Sequence, residues 1–440
     1  MKEVALINLG CAKNLVDSEV MLGYLDQEGY KINTDVDKAD VIIINTCGFI
    51  KEAREESVSA IKKSLEAKYR AKGEKKVIVA GCYVERCPVE LKENFPEVDL
   101  WTGVNDFGHI ADIITGTPFQ KSNHCYLYDH RSPRYLSTPC SWAYVKISEG
   151  CSHSCSFCAI PLIKGPYQSR SIFSIVEETK KLADKKIKEI NIISQDSTNY
   201  GKDLGLKNGL TLLLRELVKI KKIEWIRVLY AYPEEIHDSL LEMFTESKIC
   251  SYLDCPFQHT NRKILNRMKR GMGGARALKL LSKMRDKIPD IALRTTLIVG
   301  FPGESKKQYE ELKNFVRAAK FDHLGVFTYS REKNTGCYEL GDPVRHETKK
   351  ERQHELLEIQ SDISAQKNRK YLNQTMDVIV EGRLKEDPTL LIGRTRYQAP
   401  EVDGMVYVDV KNDRKNHSGK IEKFTITGCD QYDLYGELLT

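Results

Sequence analysis

The chain has 440 residues, enough for two or three domains with cores of their own. Its hydrophobic content of 41% is ordinary and no apolar run approaches a membrane span, which excludes an integral helical membrane protein. The net charge of +6 is mild, so an acidic partner such as RNA or a ribosome is permitted but not demanded. Met1-Lys2-Glu3-Val4 runs directly into a strand-like stretch without signal-peptide anatomy, and a cytoplasmic location with no membrane partner is the expectation. Thiols stay reduced there, so thirteen cysteines read as metal ligands and buried thiols rather than disulfides.

In the first hundred residues, three short β-branched runs each end on a cysteine. Residues 4–9 lead to Gly10-Cys11, residues 41–45 to Thr46-Cys47, and residues 77–80 to Gly81-Cys82. Between them, Leu15, Val16, Val20, Leu22 and Leu25 form a helical stripe that stops before Gly29. Val58, Ile61 and Leu65 form another, on a charged helix expected to end near Gly73. Alternating strands and helices at this spacing predict βαβ units and a parallel sheet. Ligands of such sheets bind outside the carboxyl ends of the strands. Neighbouring strands lie about 4.8 Å apart, so thiolates of Cys11, Cys47 and Cys82 could reach one metal cluster. Cys87, just before Pro88, does not fit the pattern.

Residues 115–140 carry Pro118, Pro133 and Pro139 among polar residues, and residues 117–136 read as a linker. Six strand-like runs follow, at residues 143–148, 189–194, 225–230, 252–257, 291–300 and 323–329. Helical patterns at 175–186, 210–222, 234–247 (with Pro233 at its start), 275–287 and 306–320 separate them. Six βα units predict a partial, open barrel rather than the full eight.

After the first of these strands comes Cys151-Ser152-His153-Ser154-Cys155-Ser156-Phe157-Cys158. A C-x-x-x-C-x-x-C triad offers three thiolates where an iron–sulfur cluster usually takes four, and leaves one iron open to a ligand. Zinc sites favour paired or His-containing spacings, and no second pair follows. The triad resembles that of the radical S-adenosylmethionine enzymes. The resemblance implies that Cys151, Cys155 and Cys158 hold a [4Fe-4S] cluster whose open iron chelates S-adenosylmethionine, and that Phe157 fills the family's aromatic position. It implies cofactor contacts from Gln195 and Asp196 after the second strand, from Arg294 in the fifth, and from the turn Gly300-Phe301-Pro302-Gly303-Glu304. Gly165 and Arg170 match a family run in which Lys164 replaces the usual arginine. His153 reads as a solvated loop histidine. Cys125, Cys140, Cys250, Cys255, Cys337 and Cys429 show no ligand spacing.

Residues 346–372 are densely charged, with Leu356, Leu357, Ile359 and Ile363 at helical spacing, and predict a connecting helix with one buried stripe. The pattern then alternates at 376–380, 390–392, 404–410 and 421–427. Four or five short strands predict a small β-barrel. Gly393-Arg394-Thr395-Arg396 and residues 399–404 resemble the TRAM domain, an OB-like module, which implies contact with RNA. Residues 371–440, however, hold nine Lys or Arg against twelve Asp or Glu. A phosphate-gripping module should be basic, whereas an acidic one suits a basic protein.

Asn8-Leu9-Gly10-Cys11-Ala12-Lys13-Asn14-Leu15-Val16-Asp17-Ser18-Glu19 resembles the opening of the methylthiotransferases, a radical S-adenosylmethionine family whose N-terminal domain binds an auxiliary cluster. The wording is similar to the ribosomal-protein branch; the transfer-RNA branch more typically reads Cys-Gln-Met-Asn. The expectation is an α/β enzyme with four segments: an N-terminal parallel-sheet domain (1–116), a linker (117–136), a partial (βα)6 radical core with its connecting helix (137–370) and an OB-like TRAM barrel (371–440). By resemblance it carries two [4Fe-4S] clusters, on Cys11, Cys47 and Cys82 and on Cys151, Cys155 and Cys158. The same resemblance implies methylthio transfer to the β-carbon of an aspartate in small-subunit ribosomal protein S-twelve, with a flavodoxin- or ferredoxin-type electron donor. A transfer-RNA adenosine methylthiotransferase and a non-catalytic iron–sulfur RNA-binding protein stay open as alternatives.

Overall fold

The computed structural model describes residues 2–71, 74–410 and 415–438. The N-terminal sheet contains β1 (Glu3–Asn8), β2 (Lys31–Ile32), β3 (Val41–Thr46), β4 (Lys76–Gly81) and β5 (Leu100–Thr102), all parallel, in the order β2-β1-β3-β4-β5. Its central strand β3 is buried along its whole length, which is why it reads as a continuous apolar run rather than an alternating one. Helices α1 (Ala12–Gln27) and α2 (Lys51–Arg70) cross between the strands, and the short α3 (Cys82–Arg86) follows β4. The predicted end near Gly73 lies outside the described residues; α2 itself stops at Arg70. The short edge strands β2 and β5 carry too few residues for a pattern to be read from sequence.

The second sheet contains β6 (Trp142–Lys146), β9 (Glu189–Ile193), β10 (Trp225–Val228), β11 (Ile249–Asp254), β12 (Ala292–Val299) and β13 (His323–Thr328). They lie side by side in chain order, all parallel. A two-stranded ladder of β7 (Ser148–Glu149) with β8 (Gln168–Ser169) brackets the cysteine loop. One face of the sheet, with Val145, Ile190, Ile226 and Leu293, packs under the surrounding helices. The expected helix over 234–247 is instead two pieces, a 3-10 turn Pro233–Glu235 and a helix Asp238–Met243. Ile236 and His237 between them are extended, and Ile236 tucks its side chain into the core. A helix Arg262–Met268, absent from the sequence reading, is capped by the Asn261 carboxamide oxygen, which accepts from the Lys263 and Ile264 amides.

Residues 117–140 contain no helix or strand, yet they form a packed strap and not a loose tether. Tyr128 is buried and donates to the Glu178 carboxylate at 3.0 Å, while Arg134 bridges Glu19 of α1 (2.7 Å) and Glu178 (2.7 Å). The long helix His346–Asn368 lies against β13 with Leu356 fully buried and Leu357, Ile359 and Ile363 half-covered, the stripe its spacing predicted. The terminal strands β14 (Thr375–Arg383), β15 (Leu390–Thr395), β16 (Val406–Asp409), β17 (Ile421–Cys429) and β18 (Leu434–Leu438) close a barrel in the order β14-β15-β16-β18-β17. Among the described residues, no helix is long and apolar enough to cross a membrane.

Candidate functional site: two thiol triads on one seam

Cys11, Cys47 and Cys82 stand just past the carboxyl ends of β1, β3 and β4, three adjacent strands of one sheet. Cys11 caps α1 without a side-chain hydrogen bond and Cys82 is the first residue of α3, so two of the three meet helix N-termini. The backbone leaves no spare room. A Cβ at Gly10 (φ +96°) would fall 2.8 Å from Cys47 Cβ, and one at Gly81 (φ +96°) would fall 2.3 Å from Asn45 Oδ1. Asn14 ties the corner: its Nδ2 donates to the carbonyls of Leu9 and Thr46 at 3.0 and 3.2 Å, and its Oδ1 lies 3.6 Å from Cys82 Sγ.

Burial, reinforced by the neighbouring Cys11, pushes the Cys47 thiol up to about 11. Burial likewise lifts Cys82 well above the ordinary thiol range, with Lys164 pulling against it and Cys47 and Cys11 adding to it. Three clustered thiols that resist ionising on their own suit a cation that would bind them as thiolates. Among the described residues, no three Cys, His, Asp or Glu are gathered tightly enough for a single ion. A four-iron cluster asks for something looser, because each thiolate binds a different iron.

The second triad occupies the loop between β7 and the helix Ile160–Lys164. Ser156 pins the loop: its amide donates to the Met268 carbonyl at 3.1 Å, its hydroxyl to the Arg267 carbonyl at 2.6 Å, and its carbonyl accepts from the Cys337 amide at 2.8 Å. Phe157 packs against the apolar cluster that includes Ile264, Leu265, Met268 and Phe301, which anchors the loop. Burial raises Cys151 to about 11 and Cys158 to about 12. Arg270 points Nη1 at Cys155 Sγ (3.7 Å) and stacks its guanidinium over Tyr232, 4.0 Å from the ring centroid. His153, expected to be solvated, stacks on Tyr232 (4.1 Å, 8°) and bonds Asp196 Oδ2 at 2.5 Å. The loop histidine is therefore a structural pin; the sequence reading marked Asp196 only as a cofactor contact and Tyr232 not at all. Asp196 spends its other oxygen capping Thr198 and Asn199 at 2.9 and 3.2 Å.

A buried charge cluster joins the two halves, and none of its members stood out as a cluster in the sequence. Asp17 of α1 and Glu149 of β7 share Lys146, from the end of β6, and Lys164. Lys164, the residue standing in for arginine, sits 3.1 Å from Asp17 and 3.3 Å from Glu149. Burial works against the Glu149 carboxylate, but Lys146 and Lys164 outweigh it and hold it down at about 2. Gln195 donates its amide to Glu149, while its Oε1 is buried without a partner. A buried orphan acceptor beside the cysteine loop fits a ligand that brings a donor, such as an amino group. Cys82 packs in one apolar cluster with Ala159, the residue after Cys158, and with Ile163 of the helix that follows. The two triads thus open on the same seam between the N-terminal sheet and the barrel.

Besides Asp196, two more of the expected cofactor contacts have protein partners. Arg294 pairs with Asp254 (3.2 Å) and with Asp403 of the terminal module (3.3 Å). The Glu304 carboxylate is completely buried and fastens its own turn: it accepts from the Gly300 amide (3.1 Å) and Arg352 Nη1 (2.5 Å) and contacts His259 Nε2 at 3.2 Å. The terminal module also turns basic residues inward. Arg394 binds Glu189 at 2.6 Å, and Arg396 donates to the carbonyls of Ser247 and Ile249. Two of its nine basic residues are thereby withdrawn from any phosphate-binding face.

Residues 3–103 match the family model described as the uncharacterised protein family UPF0004, residues 145–316 the radical SAM superfamily, and residues 374–439 the TRAM domain. A ribosomal protein uS12 methylthiotransferase RimO from Citrifermentans bemidjiense is 45% identical over 445 residues, covering 100% of this chain and 98% of its own. The RimO of Aquifex aeolicus is 44% identical over 435 residues, covering 99% and 96%. The chain belongs to the RimO family of methylthiotransferases. RimO is the ribosomal-protein branch to which Cys11-Ala12-Lys13-Asn14 pointed, and the chain is a radical S-adenosylmethionine enzyme of that family. The radical S-adenosylmethionine methyltransferase TsrM of Kitasatospora setae, solved with cobalamin and a [4Fe-4S] cluster, superimposes with a TM-score of 0.54 at 14% identity, over 77% of this chain and 74% of that one. The cobalamin-dependent radical enzyme OxsB gives 0.51 at 13%, over 77% and 55%. At that identity the likeness speaks to fold alone.

Proposed function

We propose that this enzyme adds a methylthio group to the β-carbon of an aspartate in ribosomal protein uS12, the protein its RimO relatives are named for. Cys151, Cys155 and Cys158 hold one [4Fe-4S] cluster and Cys11, Cys47 and Cys82 a second. The observation that carries the reading is the convergence of both thiol triads on one seam. When bound, the clusters and S-adenosylmethionine supply the electron, the radical and the methylthio sulfur, chemistry that no side chain here could provide. The chain's own residues hold and orient. Arg270 places a positive charge against Cys155 Sγ. Gln195 Oε1 accepts from the amino group of the methionine moiety, with Glu149 fixing the carboxamide from behind. The Asp17, Lys146, Glu149 and Lys164 cluster locks the two halves so that both thiol sets keep one mutual orientation, the proximity that a two-step transfer needs. Asp196 acts through His153, and Arg294 and Glu304 through the fold, as positioning residues. A flavodoxin- or ferredoxin-type donor reduces the clusters, which sit at low potential. The units are residues 1–116, 137–370 and 371–440, with 117–136 as the strap.

The test is a paired anaerobic assay. Reconstituted enzyme, S-adenosylmethionine, sulfide and reductant meet either small ribosomal subunits or bulk transfer RNA, and mass spectrometry follows methylthio addition. Addition to an aspartate of uS12 alone is expected; addition to an adenosine alone would overturn the substrate.

A further inference from the structure

Lys13 is a buried cation with fewer acceptors than it has protons to share. It lies in the first turn of α1, two residues after Cys11, and is 8% exposed. Its ammonium has three donors to place. They meet the Ser194 carbonyl at a long 3.4 Å and the face of the Tyr230 ring, 3.6 Å from its centroid. Both partners belong to the barrel, at the ends of β9 and β10, so Lys13 reaches across the seam. Among the described residues, no carboxylate stands within ion-pair distance of it.

The other two seam lysines are different. Lys146 and Lys164 share the carboxylates of Asp17 and Glu149. Two carboxylates therefore pair directly with two lysines, and Lys13 is left with no carboxylate in contact, only the longer-range pull of Cys11 and Glu149. It also sits at the positive end of a 16-residue helix whose first turn carries no acidic residue. A buried charge without a counter-ion is costly, and a carboxylate entering the seam would supply one.

We propose that Lys13 binds the carboxylate of the target aspartate and thereby selects an acidic side chain for methylthio addition. The proposal rests on the functional reading above and deepens it. The β-carbon of an aspartate is bonded directly to its carboxylate carbon, so a cation that grips the carboxylate also fixes the carbon to be attacked. A wrong substrate, presenting a neutral group there, leaves the ammonium unpaired, and discrimination follows from that penalty.

The experiment uses reconstituted full-length enzyme as wild type, Lys13→Met, Lys13→Gln and Lys13→Arg, each checked for iron content and cluster absorbance. Small ribosomal subunits carry uS12 either with its target aspartate or with asparagine there. The readout is the ratio of kcat/KM for the two. Wild type and Lys13→Arg are expected to favour aspartate by about 10- to 100-fold, the range of one charge-assisted hydrogen bond. Lys13→Met and Lys13→Gln should bring the ratio to within about threefold of unity. Should Lys13→Met lose its clusters, Lys13→Gln decides. Retention of the wild-type ratio in a cluster-loaded neutral variant overturns the proposal. So does an unchanged ratio with a raised KM for S-adenosylmethionine, which would give Lys13 to the methionine carboxylate instead. Wild-type enzyme that leaves uS12 unmodified would sink the functional reading itself, a result distinct from any change of ratio.

Discussion

Replacing Glu189 with glutamine tests the joint between the radical barrel and the terminal module. Glu189 opens β9, is fully buried, and accepts from Arg227 Nε at 2.9 Å and from Arg394 Nη2 of β15 at 2.6 Å. Arg394 also binds Glu381 and the Gln398 carbonyl, and Arg227 donates to the Arg396 carbonyl at 2.9 Å. The amide keeps the volume and removes the charge, leaving two buried guanidiniums with Glu381 as the carboxylate still bonded to Arg394. Breaking a buried pair in this way costs about 3–5 kcal/mol. Unfolding entropy runs near 2.1 cal/mol/K per residue, so a chain of 440 residues melting as one unit drops about 1 °C per kcal/mol, or about 3–5 °C. A terminal module of roughly 70 residues that comes away alone has about 0.15 kcal/mol/K, and would appear as a separate transition about 20–35 °C lower. Calorimetry separates the two cases. Burial raises the Glu189 carboxyl, but Arg394 and Arg227 more than offset this and hold it below its ordinary value of 4.5. Its contribution is therefore full above about pH 4.5 and disappears as the pH falls through the lowered value. The variant should lack that acid-side loss. Melting within 1 °C of wild type, with the same acid limb, would refute the reasoning.

Cys155→Ala should abolish cleavage of S-adenosylmethionine, whereas Cys47→Ala should lose sulfur insertion yet keep making deoxyadenosine. Equal loss in the two purified, reconstituted variants would contradict the division of labour between the triads. Gly81→Ala forces a side chain at φ +96° into Asn45 and the Thr46 backbone, a strain of about 1–3 kcal/mol. It should displace Cys82 and lower iron from about eight to about four per chain, and full iron loading would show that the turn tolerates a Cβ. Arg270→Gln removes a positive charge from Cys155 Sγ, so the cluster's reduction potential should become more negative. An unchanged midpoint in an EPR-monitored titration would exclude Arg270 from tuning it.

The two cysteine triads were legible as groups in the sequence because each follows a local rule, a fixed spacing in one loop or the end of a β-branched run, and the structure sets the second kind on three adjacent strands. The three parallel strands that end before Cys11, Cys47 and Cys82 were legible for the same reason, as were the six barrel strands, the fourth of them three residues earlier than expected at Ile249–Asp254, and the buried stripe at Leu356. The helix expected over 234–247 failed because two extended residues, Ile236 and His237, interrupt it where the barrel core claims Ile236. His153 looked solvated because Tyr232 and Asp196 lie 79 and 43 positions away in the chain.

Sequence alone thus determined the chemistry and the order of the parts. Thiol spacing and apolar periodicity are properties of neighbouring residues, and they survive without knowledge of the fold. Only the tertiary structure decided which charges face one another. Asp17 meets Lys146 and Lys164 across 129 and 147 positions, Arg394 meets Glu189 across 205, and Lys13 reaches Ser194 across 181. Such pairings have no local signature, because a lysine destined for a buried seam and one destined for water are the same letter. What separates them is the burial of the seam itself, where a charge must find a partner or wait for the substrate to bring one.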